Sequence, residues 1–194
     1  MVIKKIAILF SGTGSNLEKL LETLHNKTFE HCRIEVVTTI CNRPNAGGIA
    51  KSRAYGIEPL ILDHTLFPSR EAFDEALVKA IQESGAELTV LAGFMRILSP
   101  IFTRSINAIN LHPSLLPLFK GGHAIEESYK SEMKVAGISV HYVNEELDGG
   151  TIIAQRCFEK TEGMSFETFE KNIHALEHEL LPQTVKNLLN RNIS

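Results

Sequence analysis

IKKIAILF (residues 3–10), SGTG (11–14) and SNLEKLLETL (15–24) follow one another without a break, and their periodicities decide the fold class. Ile3 to Phe10 is β-branched and apolar, the pattern of a parallel strand buried on both faces. It runs into the glycine-rich turn Ser11-Gly12-Thr13-Gly14. From Ser15 onward the apolar residues fall at Leu17, Leu20, Leu21 and Leu24, the spacing of an amphipathic helix. A strand, a tight turn and a helix in that order open a βαβ unit.

The alternation continues downstream. Ile34 to Cys41 predicts a second strand, broken at Asn42-Arg43-Pro44-Asn45, followed by a short helix over Gly48 to Tyr55 and a strand around 59–62. Ser69 to Ser84 predicts a helix capped by Ser69, with Phe73, Leu77, Ala80 and Ile81 as its apolar stripe. Leu88 to Ala92 and Ala108 to Leu111 read as further strands. This order implies an α/β chain with a doubly wound, mostly parallel, Rossmann-like sheet. After His112 the pattern changes. A proline- and glycine-rich loop reaches Gly122, and strands over Val135–Val143 and Gly150–Phe158 flank an acidic turn, giving an expected mixed or antiparallel portion. Phe166 to Leu189 predicts a long final helix, which Pro182 should kink or divide. No repeat or linker interrupts the chain, so one domain over 1–194 is expected.

Composition narrows the function classes. A net charge of −3 provides no global field to recruit nucleic acid or an anionic membrane, so an anionic ligand must be held locally. No stretch approaches the roughly 20 apolar residues of a membrane span. The opening apolar run shows neither a longer hydrophobic region nor a small-residue cleavage site. Three widely spaced cysteines without a CxxC pair suit a reducing compartment, so the expected location is the cytoplasm.

Two segments carry chemistry. In an open α/β sheet the turn between first strand and first helix presents free N–H groups to an anion, and Gly14, Ser15 and Asn16 suit a phosphate there. A dinucleotide fingerprint would need a third glycine at Leu17 and an acidic residue after the second strand, where Cys41-Asn42-Arg43 stands. Arg43 could accept a 2′-phosphate, which keeps an NADP reading open. The other segment is Asn110-Leu111-His112-Pro113-Ser114-Leu115-Leu116-Pro117. Asn110 and His112 lie two apart on a strand end, so they share a face, and two prolines stiffen the loop behind them. An amide and an imidazole together suit a developing oxyanion and a proton transfer. Asp148, in Glu146-Leu147-Asp148-Gly149-Gly150, could supply the carboxylate that keeps His112 charged, although Asp-Gly is also an ordinary turn former. His174 and His178 lie four apart on the last helix, yet Ala175-Leu176 spoils an HExxH pattern and no third ligand is evident, so no metal is expected.

Together these residues resemble the phosphoribosylglycinamide formyltransferase family, the folate-dependent glycinamide ribonucleotide transformylases of purine biosynthesis and one-carbon metabolism. The resemblance rests on Gly14 to Leu17, Ser69 to Asp74, Leu91 to Leu98, Asn110 to Pro117 and Glu146 to Gly150, in the family's order and spacing. It implies Asn110, His112 and Asp148 as catalytic residues. Gly14, Ser15 and Asn16, with Arg70, would hold the ribonucleotide phosphate, and Glu177 would lie near the glycinamide group. Met95, Arg96, Ile97, Leu98 and Val143 would surround the folate, with 10-formyltetrahydrofolate as co-substrate. The implied partners are these two small molecules, not nucleic acid or membrane, and the oligomeric state is left between monomer and homodimer. One departure is Phe119-Lys120-Gly121-Gly122-His123, where the family often has a proline before the first glycine. The alternatives are another formyl-folate enzyme (a hydrolase or a tRNA formyltransferase), a nucleotide- or folate-binding module without turnover, and an NADP-dependent oxidoreductase.

Overall fold

The computed structural model describes residues 1–190; the last four of the expected 1–194 span lie outside the described residues. In chain order the elements are β1 (Val2–Phe10), α1 (Ser15–Leu24), β2 (Lys27–Thr28), β3 (Cys32–Cys41), α2 (Gly48–Ala54), β4 (Leu60–Ile61), a 3-10 turn (His64–Leu66) and α3 (Arg70–Ser84). Then follow β5 (Leu88–Leu91), α4 (Pro100–Thr103), β6 (Ala108–His112), α5 (Ala124–Lys130), β7 (Val135–Tyr142), β8 (Ile152–Glu159) and α6 (Phe166–Leu189). The strands form one eight-stranded sheet in the order β2-β3-β1-β5-β6-β7-β8, with β4 on β3.

β1 pairs in parallel with β3 and β5, and β5 with β6, whereas β6–β7 and β7–β8 are antiparallel. The α/β class, the parallel centre and the antiparallel C-terminal portion therefore stand as expected. β1 shows why both faces are covered. Ile6, Ile8 and Phe10 point into one core with Leu17, Leu20 and Leu21 of α1 and Phe169, Ile173 and Leu181 of α6. Ala7 and Leu9, on the alternate positions, enter a second core with Phe73, Leu77 and Ile81 of α3 and Phe102 of α4. Two helical layers, one sheet and a reversal of winding between β1 and β5 place a crevice outside the carboxyl ends of those two strands.

Ser69 caps α3 as expected, its hydroxyl accepting from the Ala72 N–H at 3.1 Å. The long final helix stands as expected and Pro182 does not divide it: it runs from Phe166 to Leu189 through the buried Pro182. A proline removes one backbone bond, and here Leu180, Leu181 and Val185 pack in the core on either side of it. α5, α4, β2 and the 3-10 turn were not anticipated. α5 is held from outside itself, because Lys160 Nζ donates to the carbonyls of Ser128, Tyr129 and Ser131 at 2.8–2.9 Å.

Candidate active site

Gly14 stands at the N-terminal cap of α1 with φ +74°, a left-handed conformation that glycine adopts at little cost. A Cβ there would meet the Gly48 Cα at 2.6 Å, because the turn also receives the N-terminus of α2: the Gly48 N–H donates to the Gly12 carbonyl at 3.1 Å. Gly14→Ala is therefore expected to destabilise the protein by about 1–3 kcal/mol, read as a lower denaturant midpoint at unchanged m-value. Asn16, in the first turn of α1, donates from Nδ2 to Glu177 Oε2 at 3.0 Å. Glu177 is buried on α6, and its Oε2 is also 2.9 Å from His174 Nδ1. The turn and the last helix thus share one polar cluster, and Ser15 lies between Gly14 and Asn16 as the first residue of α1. Arg70 stands apart from this group, exposed at the first residue of α3 with its guanidinium on neighbouring Glu71 at 3.1 Å.

Ser11 ties the turn to the next crossover. Its N–H donates to the Gly93 carbonyl at 3.0 Å, and its hydroxyl accepts the Met95 N–H at 2.8 Å while donating to Asn42 Oδ1 at 2.6 Å. This buried pair fixes the start of the 93–98 loop against β1 and β3, and neither residue was singled out from the sequence. A polar serine closing an apolar strand was the available signal.

The 93–98 loop forms one wall of a cleft of about 420 Å³, within the size range of small-molecule sites. Met95, Arg96, Ile97 and Leu98 line it on one side and Val143 to Asp148 on another. Met95 and Ile97 are 64% and 60% exposed, so they are apolar lips and not core residues. Arg96 lays its guanidinium over the Phe73 ring, 4.9 Å from the centroid, which pins the loop to α3.

Asn110 and His112 come from the end of β6 and Asp148 from the turn after β7, and all three line this cleft. Asp148 has φ +51°, a left-handed backbone that Asp tolerates better than most residues. Its Oδ2 accepts the Gly121 N–H at 2.9 Å and lies 3.4 Å from His112 Nδ1; its Oδ1 lies 3.4 Å from Asn110 Nδ2 and 3.6 Å from His141 Nε2. Burial pushes the Asp148 carboxyl up, but the His141 ring, the Gly121 N–H and the charges of His112 and His141 outweigh it and hold the pKa below the ordinary value. The group is an anion at neutral pH.

Carbonyl acceptors settle the ring orientations. His112 Nε2 lies 2.8 Å from the Phe119 carbonyl, which only accepts, so Nε2 carries a proton and Nδ1 is the nitrogen that faces Asp148. His141 Nδ1 likewise donates to the Tyr142 carbonyl at 2.9 Å, and its Nε2 faces Asp148 Oδ1 at 3.6 Å and lies 3.2 Å from Asn110 Nδ2. Asn110's two amide contacts are long, so its N–H groups are available to a shorter, charge-assisted bond. His141 is the member that the sequence reading missed. It pairs with Asn110 across β6 and β7, and its signal was Ser139 and His141 at alternate positions of an apolar strand. Lys120, at the departure from the family pattern, makes a 2.7 Å ion pair with Glu146 across the mouth of the same cleft. Among the described residues no group of three or more His, Cys, Asp or Glu is placed to hold a metal ion, and no helix is long and apolar enough to cross a membrane.

Known proteins resemble this chain over nearly its whole length. The sequence profile described as formyl transferase matches residues 4–185. Phosphoribosylglycinamide formyltransferase of Bacillus subtilis is 35% identical over 192 residues, covering 98% of this chain and 97% of that protein. The bovine trifunctional purine biosynthetic protein adenosine-3 is 37% identical over 94% of this chain, which corresponds to 18% of that longer protein. The crystal structure of phosphoribosylglycinamide formyltransferase from Campylobacter jejuni superposes with a TM-score of 0.95 at 60% identity, covering 96% of this chain and 98% of the other. With these likenesses spanning turn, cleft and final helix alike, the chain belongs to the formyl transferase family, in its phosphoribosylglycinamide formyltransferase branch.

Proposed function

We propose that this chain transfers the formyl group of 10-formyltetrahydrofolate to the amine of glycinamide ribonucleotide, as a cytoplasmic step of purine synthesis. The observation that carries the reading is the convergence of Asn110, His112 and Asp148 on a cleft walled by the 93–98 loop and the 143–148 turn. Folate occupies that cleft, its flat ring against Met95, Ile97, Leu98 and Val143. The ribonucleotide phosphate sits on the Gly14-Ser15-Asn16 turn, where a helix N-terminus meets it, and Glu177 faces the glycinamide group. Arg70 would join the phosphate only by leaving Glu71.

The amine attacks the formyl carbon, and the carbonyl electrons move onto oxygen. Asn110 Nδ2 and the imidazolium form of His112 stabilise that oxyanion, each such donor contributing about 2.7–4 kcal/mol in comparable sites. When the tetrahedral intermediate collapses, the bond to the folate nitrogen breaks. The attacking nitrogen loses its proton and the departing folate nitrogen gains one, through His112 and water organised by Asp148. No covalent enzyme intermediate is formed.

The test mixes purified protein with both substrates and follows folate absorbance and formylated ribonucleotide. Product that requires both substrates is expected. Deformylation without the ribonucleotide would instead mark a hydrolase, and a folded but inert protein a binding module. Asn16→Ala is expected to raise KM for the ribonucleotide about tenfold, because it also leaves the buried Glu177 carboxylate short of a donor, while KM for folate stays within about twofold.

A further inference from the structure

We propose that Asp74 is a positioning residue for the folate wall of the cleft, an inference that rests on the folate placement given above. Buried in α3, it holds the far end of the 93–98 loop through the Ser99 N–H. Asp74, Leu77, Val78 and Ile81 fall at the i, i+3, i+4 and i+7 spacing that turns one face of a helix into the core, and all four are buried. An aspartate is seldom fully buried without a partner, and an apolar side chain would suit that face better. What an apolar side chain cannot do is accept a hydrogen bond. Asp74 Oδ2 accepts the Ser99 N–H at 2.6 Å, and its Oδ1 has no partner among the described residues. The carboxyl thus serves the end of the loop and not α3 itself.

The loop has little structure of its own to rely on. No helix or strand covers 92–99, and Met95 and Ile97 stand exposed on the lip of the cleft. Its start is tied at Ser11, whose hydroxyl accepts the Met95 N–H. Its middle rests on Phe73, which takes the Arg96 guanidinium over its ring and stacks with Phe94 at 6.5 Å between centroids. Its end leads into Ser99, the cap of α4 just before Pro100. Phe73 and Asp74 are consecutive, so one turn of α3 holds the middle and the end together. With both ends fixed, Met95, Ile97 and Leu98 offer a preformed wall to a flat ring, and folate binding is spared the cost of ordering the loop.

The test separates positioning from stability alone. Leucine repeats the branched outline of aspartate without an acceptor. For Asp74→Leu the folate KM is expected to rise about tenfold, while the ribonucleotide KM stays within about twofold of wild type and kcat within about threefold. Asp74→Asn keeps an oxygen for the Ser99 N–H, and its folate KM should lie within about twofold of wild type. A merely structural role would lower the denaturant midpoint and leave the folate KM of the folded enzyme unmoved, and that result overturns the inference. An asparagine enzyme as impaired as the leucine one overturns it too. Should Asp74→Leu not fold, Ser99→Pro breaks the same bond from the donor's side, at a residue whose φ of −84° already lies near a proline's. The same rise in folate KM is expected there, and an unchanged value rejects the role of Asp74.

Ile97→Ala, on the exposed lip, tests the folate placement by itself. If it raises the folate KM while Asp74→Leu does not, folate lies in the cleft and Asp74 does not hold its wall. If neither variant moves the folate KM, the placement of folate fails and the inference with it.

Discussion

Asp148→Asn is expected to fold and to lose about two to four orders of magnitude in kcat, with KM for the ribonucleotide little changed. An asparagine keeps the size of the side chain and one oxygen to accept the Gly121 N–H, so the turn at φ +51° and the loop it anchors survive. What disappears is the charge. His112 Nδ1, 3.4 Å from Oδ2, no longer faces an anion, and the imidazolium needed in the transition state becomes dearer at every pH of interest. The amide also brings an NH₂ group toward Asn110 Nδ2, a donor against a donor. Stability supplies a second reading of the same variant. A carboxyl whose pKa is held below its ordinary 3.8 stabilises the fold above that pH, and the contribution is lost as pH falls through the lower folded-state value. The stability gap between wild type and Asp148→Asn should accordingly be open at neutral pH and close below about pH 3.8. A variant with near-normal turnover would remove Asp148 from the chemistry.

How far the sequence could be read depended on the range of the forces involved. β1, the glycine turn and α1 were legible because their signals are local: Ile6, Ile8 and Phe10 alternate with Ala7 and Leu9, and four leucines mark one face of α1. Asn110 and His112 were legible because both sit at one strand end, before a loop stiffened by proline. α5 was not. Its seven residues carry no strong stripe, and its C-terminal carbonyls are satisfied by Lys160, about thirty residues further along the chain. His141 joins the site only through the antiparallel register that sets it opposite Asn110. The Asn16–Glu177 bond spans 161 residues, so no local pattern signals it; only resemblance put both residues beside one substrate. Arg70 marks the opposite case: resemblance placed it on the phosphate, while the described geometry keeps it on Glu71.

His112→Ala should lower kcat by about three orders of magnitude or more, since it removes a charged oxyanion donor and the proton carrier together. His112 also has a mechanical task, however. Its Nε2–H holds the Phe119 carbonyl at 2.8 Å, at the residue with φ +54° in the loop that returns Gly121 to Asp148. Alanine would release that loop, so a dead His112→Ala enzyme alone cannot separate charge from anchoring. His112→Gln separates them, because its side-chain amide can still donate to Phe119 but never becomes a cation. If charge is what matters, the glutamine enzyme stays within about tenfold of the alanine enzyme in kcat, even where its KM values return to those of wild type. If anchoring is what matters, glutamine restores most of kcat, and the oxyanion must then rest on Asn110 without an imidazolium beside it. The two outcomes differ by about two orders of magnitude in kcat, and single-turnover measurement at saturating substrates reads that difference free of product release.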